Sequence, residues 1–234
     1  MDQLVDFLLV IVMVLGIATL GFSRISGCIR LAAAQGIVLG ILVLLVHFDE
    51  INIRLIALAL LSIFLKGVIF PWLLYRSMRE AGIQREVEPF IGFIISILLG
   101  TLGLLAAFAL GDRLPLPIEA GSSLIVPVSL GTLFAGLLLI VTRKKAVMQV
   151  VGYLVLENGI FTFSLVLVSE MPAVVELGVL LDLFVAVFVM GITIYHISHE
   201  FDDLDVTRLS QLQDVAEAES TNPQAVGPHE DGLE

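Results

Sequence analysis

Val151-Gly152-Tyr153-Leu154-Val155-Leu156-Glu157-Asn158-Gly159-Ile160-Phe161 is the stretch from which this chain is best read. Continued through Thr162-Phe163-Ser164 to Val168, it forms an apolar run with a carboxylate well inside it. A bilayer core takes about 20 mostly apolar residues per helix, so the run is long enough to span. An ionisable side chain near the middle of such a helix costs roughly 2.5 kcal/mol or more, so it turns toward the protein interior and marks an ion or proton path.

The rest of the chain has the same character. Hydrophobic residues make up 58% and charged residues 15%, and the mean hydropathy is +1.04. These values exclude an ordinary soluble domain. They predict an all-α polytopic membrane protein. Seven stretches satisfy the length requirement, at approximately 3-22, 31-47, 53-74, 90-110, 123-141, 149-168 and 174-197, each bounded by charges, Pro or Gly. Met1-Asp2-Gln3 lacks the positive flank of a signal peptide, so the first stretch is expected to be a retained helix.

The placement of basic residues predicts orientation, because short cytoplasmic loops are enriched in Lys and Arg. Arg24, Arg30, Arg76, Arg79, Arg85, Arg143, Lys144, Lys145 and Arg208 fall on one side, and only Arg54 and Arg113 on the other. The N-terminus is therefore expected outside and the C-terminus in the cytoplasm. The net charge of -11 says little about the membrane part, since ten acids against Arg208 between Glu200 and Glu234 account for -9 of it.

Pro115 and Pro117, between Gly111 and Gly121, suggest a division into a four-helix unit, 1-110, and a three-helix unit, 111-200. Residues 201-234 form an acidic cytoplasmic tail, expected to be disordered from about 214. Before that point Asp205, Leu209 and Leu212 belong to a segment with spaced apolar residues that could dock on a soluble partner. Gly36 and Gly40, Gly100 and Gly103, and Gly131 and Ala135 read as sites of ordinary close helix packing. The fourth span carries only Ser96 and Thr101 and reads as a packing or lipid-facing helix.

The single cysteine, Cys28, excludes an internal disulfide, a thiolate zinc site and a cysteine-ligated cluster. His47, His196, His199 and His229 lack metal-ligand spacing. No metal and no redox cofactor is expected in this chain.

Three charged residues lie more than a turn inside the predicted spans: Lys66, Glu157 and Asp182. At ~1.5 Å per residue, Glu157 lies ~12 Å from the cytoplasmic start of its helix and Lys66 ~10 to 12 Å from the cytoplasmic end of its own, so the two share a level. Asp182 lies ~22 Å from the cytoplasmic end, about 10 Å further out, and ordered water would have to bridge that gap. Helical phase aligns Tyr153, Glu157 and Ser164 on the sixth span, and Asp182, Thr193 and His196 on the seventh. Two readings stand side by side for these groups. In one they form a proton relay in which an opposed Lys tunes a carboxylate. In the other, Lys66 and an acid form a structural pair, or Lys66 extends along its stem to the surface.

Residues 121-214 resemble the three-helix K subunit of complex I and its relatives in sodium/proton antiporters. The likeness rests on Arg143-Lys144-Lys145, on Gly152 through Asn158, on Asp182, and on Asp205-x-x-x-Leu209-x-x-Leu212. That family has one proton-transferring glutamate in each of its second and third helices. With Asn158 set against the family's asparagine, Glu157 stands about one turn from the family position, which Leu154 occupies, and Asp182 is displaced similarly. The full length, with four helices before a K-like unit, resembles component E of hydrogenase-4 in the membrane arms of group 4 nickel-iron hydrogenases. Lys66-Gly-Val-Ile-Phe-Pro71-Trp72-Leu73 is similar to the Lys-x4-Pro motif of antiporter-like subunits.

The resemblance implies a non-catalytic subunit in the inner (cytoplasmic) membrane. Its partners would be antiporter-like and hydrogenase-like subunits, it would help move protons or sodium, and redox chemistry would lie elsewhere. A stand-alone carrier for an ion or small solute and a purely structural scaffold are the competing classes. The seven stretches show no inverted halves with broken central helices of the kind carriers use.

Overall fold

The computed structural model describes residues 2–46, 53–80, 87, 89–111, 113 and 122–167, and over these the chain is all-α. The helices are α1 (Asp2–Gly21), α2 (Ile25–Val46), α3 (Ile53–Phe64), α4 (Phe70–Glu80), α5 (Phe93–Gly111), α6 (Ile125–Thr142) and α7 (Ala146–Leu167). A π-helical turn, Leu65–Ile69, joins α3 directly to α4, so these three pieces make one rod. Among the described residues six helical stretches are long and apolar enough to cross a membrane, which makes this a multi-pass membrane protein. The seventh predicted span, 174-197, lies outside the described residues, with Asp182, Thr193 and His196, as does the tail with Asp205, Leu209 and Leu212.

Two boundaries differ by six residues from the sequence reading, for physical reasons. The second span begins at Ile25, not near 31, because Arg30 does not end the helix. Its exposed guanidinium reaches outward, Nε donating to the Tyr75 hydroxyl at 3.4 Å, while that hydroxyl donates to the Ser26 carbonyl at 3.1 Å. A long basic side chain near a helix end can in this way keep its charge at the surface while its stem lies along apolar neighbours. The third span runs on to Glu80, past the predicted end at 74. This extension is two-faced, with Ser77 and Met78 buried and Tyr75, Arg76 and Arg79 exposed, so hydropathy alone stops too early.

The π turn has a local cause. Pro71 lacks an N–H, and in a regular helix its ring would crowd the carbonyl four residues back, that of Gly67. The backbone widens instead, and the Phe70 N–H reaches the Leu65 carbonyl five residues back.

α6 and α7 are adjacent antiparallel helices in the most intimate contact of the bundle. A Cβ added to Gly159 would stand 2.6 Å from the Leu133 backbone nitrogen and 3.0 Å from the Ser129 carbonyl, so only glycine lets the two backbones meet. In lipid, where apolar burial gives helices little reason to associate, such close packing supplies the attraction. α1 packs on α2, α5 and α6, and α2 packs on the α3–α4 rod and α7. α5 lies at the margin, with only Ser96, Gly100 and Ala107 buried.

The α1–α2, α4–α5 and α6–α7 connections meet at one end. Val87 N–H donates to the Ser23 carbonyl and Phe90 N–H to the Thr142 carbonyl, each at 2.8 Å, and Pro89 bridges to Arg143. Two apolar clusters fill the interior. One, near this basic end, includes Ile29, Ala32, Phe70, Leu139, Leu154 and Val155. The other, toward the opposite end, includes Leu9, Val12, Leu39, Val126 and Phe161.

Candidate functional site

Between those clusters lies a polar layer. On α7, Leu154 and Val155 belong to one apolar cluster and Phe161 to the other, leaving Glu157 and Asn158 between them. On α2 the same interval holds Gln35 and Gly36. On the α3–α4 rod it holds Lys66, inside the π turn.

Lys66 Nζ stands 2.5 Å from Glu157 Oε1. Lys66 is 4% exposed and Glu157 2%, so the pair is removed from the surface on every side. The close approach of α2 to the π turn allows it: a Cβ on Gly36 would fall 2.7 Å from Lys66 Cβ. Lys66 Nζ also donates to Asn158 Oδ1 at 3.1 Å and lies 4.7 Å from the centre of the Phe161 ring, whose negative face attracts a cation. Phe161 follows Glu157 by four residues and so stands one turn above it on the same face of α7.

From Asn158 the hydrogen bonds continue across the bundle. Asn158 Nδ2 donates to Gln35 Oε1 at 3.1 Å and to the Ala32 carbonyl at 3.5 Å. Gln35 Nε2 donates to the Val12 carbonyl of α1 at 3.0 Å. Asn158 and Gln35 are each 1% exposed. Thr162 donates its hydroxyl to the Asn158 carbonyl at 2.8 Å, a bond within α7.

Beside the pair is a cavity of about 10 Å³, lined among others by Ala33, Lys66, Pro71, Glu157 and Asn158. That is about the room one water needs, and polar groups are there to hold it. Its lining from Ile29, Ala32 and Leu154 lies toward the basic end of the bundle. Ala33 and Pro71 are its partly exposed members.

The structure thus joins Lys66 and Glu157, two of the three ionisable groups found in the sequence, at the common level that helix rise predicted. Tyr153 and Ser164, the other residues aligned on that span, are placed differently. Tyr153 is 36% exposed. Ser164 donates its hydroxyl to the Phe161 carbonyl at 2.7 Å, within its own helix. Gln35 and Asn158 were not singled out as site residues from the sequence. Amides carry no formal charge, and a weak signal lay only in their occurrence within otherwise apolar runs. Among the described residues no group of three or more His, Cys, Asp or Glu could hold a metal ion.

Arg143 lies with Lys144 and Lys145 in the α6–α7 connection, as the sequence reading has it, but its surroundings differ from theirs. Lys144 is exposed, but Arg143 is fully buried. Its Nη2 donates to the Leu20 carbonyl at the end of α1, and its guanidinium lies 5.1 Å from the Phe93 ring. Burial lowers its proton affinity below the arginine norm. A guanidinium nevertheless stays charged in proteins. Arg143 therefore ties three helix ends together.

No protein-family model and no solved structure matches the chain. It is 35% identical over 189 residues to the uncharacterized protein Rv0085 of Mycobacterium tuberculosis, covering 80% of this chain and 85% of that one. The chain belongs to the family of Rv0085. A second similarity within this Rv0085-like chain is to hydrogenase-4 component E of Escherichia coli K12, 32% identical over 120 residues. That match covers 51% of this chain and 55% of component E, so it spans about half of each. The component E of Shigella flexneri matches to the same extent.

Proposed function

We propose that this chain is a non-catalytic membrane subunit of a hydrogenase-4-like or complex I-like assembly, in which Glu157 exchanges protons beside the fixed cation of Lys66. The observation that carries this reading is the Lys66–Glu157 pair itself, buried between two apolar clusters and bordered by a cavity of one-water size. An intramembrane ion pair is costly, and such pairs recur on ion and proton pathways. The likeness to hydrogenase-4 component E supports membership in a larger complex whose redox chemistry lies in partner subunits.

In this reading Asp182 is the next acid of the relay and a seventh span follows α7. The basic connections face the cytoplasm, in the cytoplasmic membrane, and antiporter-like and hydrogenase-like subunits are the partners. Tagged chain purified from its native membrane tests the assembly: large antiporter-like and hydrogenase-like chains should accompany it. Recovery of active homo-oligomers alone would favour a stand-alone carrier. Lys66→Ala and Glu157→Gln test the site: each should lower proton translocation per assembled complex. Changed assembly with unchanged turnover per complex would make the pair a structural strut.

A further inference from the structure

We infer that Gln35 and Asn158 are positioning residues, forming an amide chain hung from the Val12 carbonyl that fixes the Lys66 ammonium against Glu157. This rests on the reading of Glu157 as the group that exchanges the proton.

The direction of the chain follows from its fixed end. A backbone carbonyl such as that of Val12 can only accept, so the Gln35 nitrogen must face it. The Gln35 oxygen then faces Asn158, which must present its own nitrogen in return. The Ala32 carbonyl, a second obligate acceptor, requires the same orientation of Asn158. The Asn158 oxygen is left toward Lys66, 3.1 Å from Nζ. One backbone carbonyl on α1 thus sets the polarity of a contact on the far side of the bundle. Both amides are almost fully buried, so reversing either one would set donor against donor or acceptor against acceptor with no water to relieve it. A lysine stem has four carbons and several rotamers, and a compact ammonium has no preferred plane. The Asn158 oxygen limits that freedom, and the distance from ammonium to carboxyl sets how strongly the two interact.

The experiment uses the full chain in lipid nanodiscs and follows the Glu157 carboxyl by infrared difference spectroscopy, its band assigned by loss in Glu157→Gln. Asn158→Leu and Gln35→Leu should each displace the pH midpoint of that band by about one unit, a tenfold change in proton affinity, with the same sign as Lys66→Ala. Thr162→Val, one turn further along α7 with its hydroxyl on the Asn158 carbonyl, should leave the midpoint in place. In a Lys66→Ala background, Asn158→Leu should add no further displacement, because its action passes through the lysine. If Asn158→Leu does not accumulate, the smaller change Asn158→Ser gives the same comparison. Midpoints unmoved in both amide variants while Lys66→Ala moves them would overturn the inference, as would an undiminished shift in the Lys66→Ala background. The failure of Glu157→Gln to affect proton flux is a separate result, and it would overturn the underlying function instead.

Discussion

Lys66 and Glu157, far apart in sequence on the α3–α4 rod and α7, meet at 2.5 Å with both side chains nearly sealed from the surface. Each makes the other tolerable at that depth. Removing one partner of a buried pair typically costs about 3–5 kcal/mol, while replacing both by apolar groups is often near neutral. Lys66→Met alone should therefore destabilise the bundle by roughly 3 kcal/mol, and Lys66→Met with Glu157→Met by much less. Denaturant unfolding in detergent micelles checks the coupling, and additive losses would contradict it.

The second prediction concerns the π turn. Pro71 forces the Phe70 N–H onto the Leu65 carbonyl, and Lys66 sits within that widened turn. Pro71→Ala should let the rod regain regular α register, rotating Lys66 relative to α4 by roughly one residue, ~100°. The expected outcome is normal abundance with proton flux reduced about tenfold, equivalent to about 1.4 kcal/mol in the barrier. Unchanged flux would show that the turn does not place the lysine.

Glycine contacts give a graded third test. Gly159→Ala drives a Cβ against the backbone of α6, which cannot yield as a side chain can. It should cost about 1–3 kcal/mol, the usual range for overpacking. Gly92, with nothing within 4 Å of an added Cβ, should accept alanine with no more than the ±0.5 kcal/mol typical of surface changes. Comparing the two by thermal melting separates packing at α6–α7 from a general sensitivity of the glycines.

A fourth prediction follows from Arg143. Its Nη2 serves a terminal carbonyl of α1, and its flat guanidinium lies over Phe93. Arg143→Ala should lose the cap, the ring contact and the filled volume together, about 2–4 kcal/mol by analogy with large-to-small core changes. Lysine should restore less than half, since an ammonium lacks the planar fork that serves both contacts. Full recovery in Arg143→Lys, measured by melting temperature, would reduce the residue to a simple charge.

Much of the architecture was legible because a bilayer leaves few options: apolar runs of sufficient length form helices, and their ends follow charges and prolines. The level shared by Lys66 and Glu157 followed from helix rise alone. What could not be read was the lateral order of the helices. Without knowing that α2 lies between α1, α7 and the α3–α4 rod, nothing links Gln35 to Asn158 or either to Val12. The burial of Arg143, within the loop where the sequence placed it, was hidden for a related reason. Loop counting treats every cation between spans as solvated, whereas this one turns back between Leu20 and Phe93.

Proton translocation by the assembled complex, compared among wild type, Glu157→Gln and Glu157→Asp in sealed vesicles, tests the central claim most directly. Glutamine keeps the size of the side chain and removes its titration, so flux should fall at least tenfold with the complex intact, while aspartate, still an acid, should retain part of it. Equal flux in wild type and Glu157→Gln, at equal amounts of complex, would contradict the account.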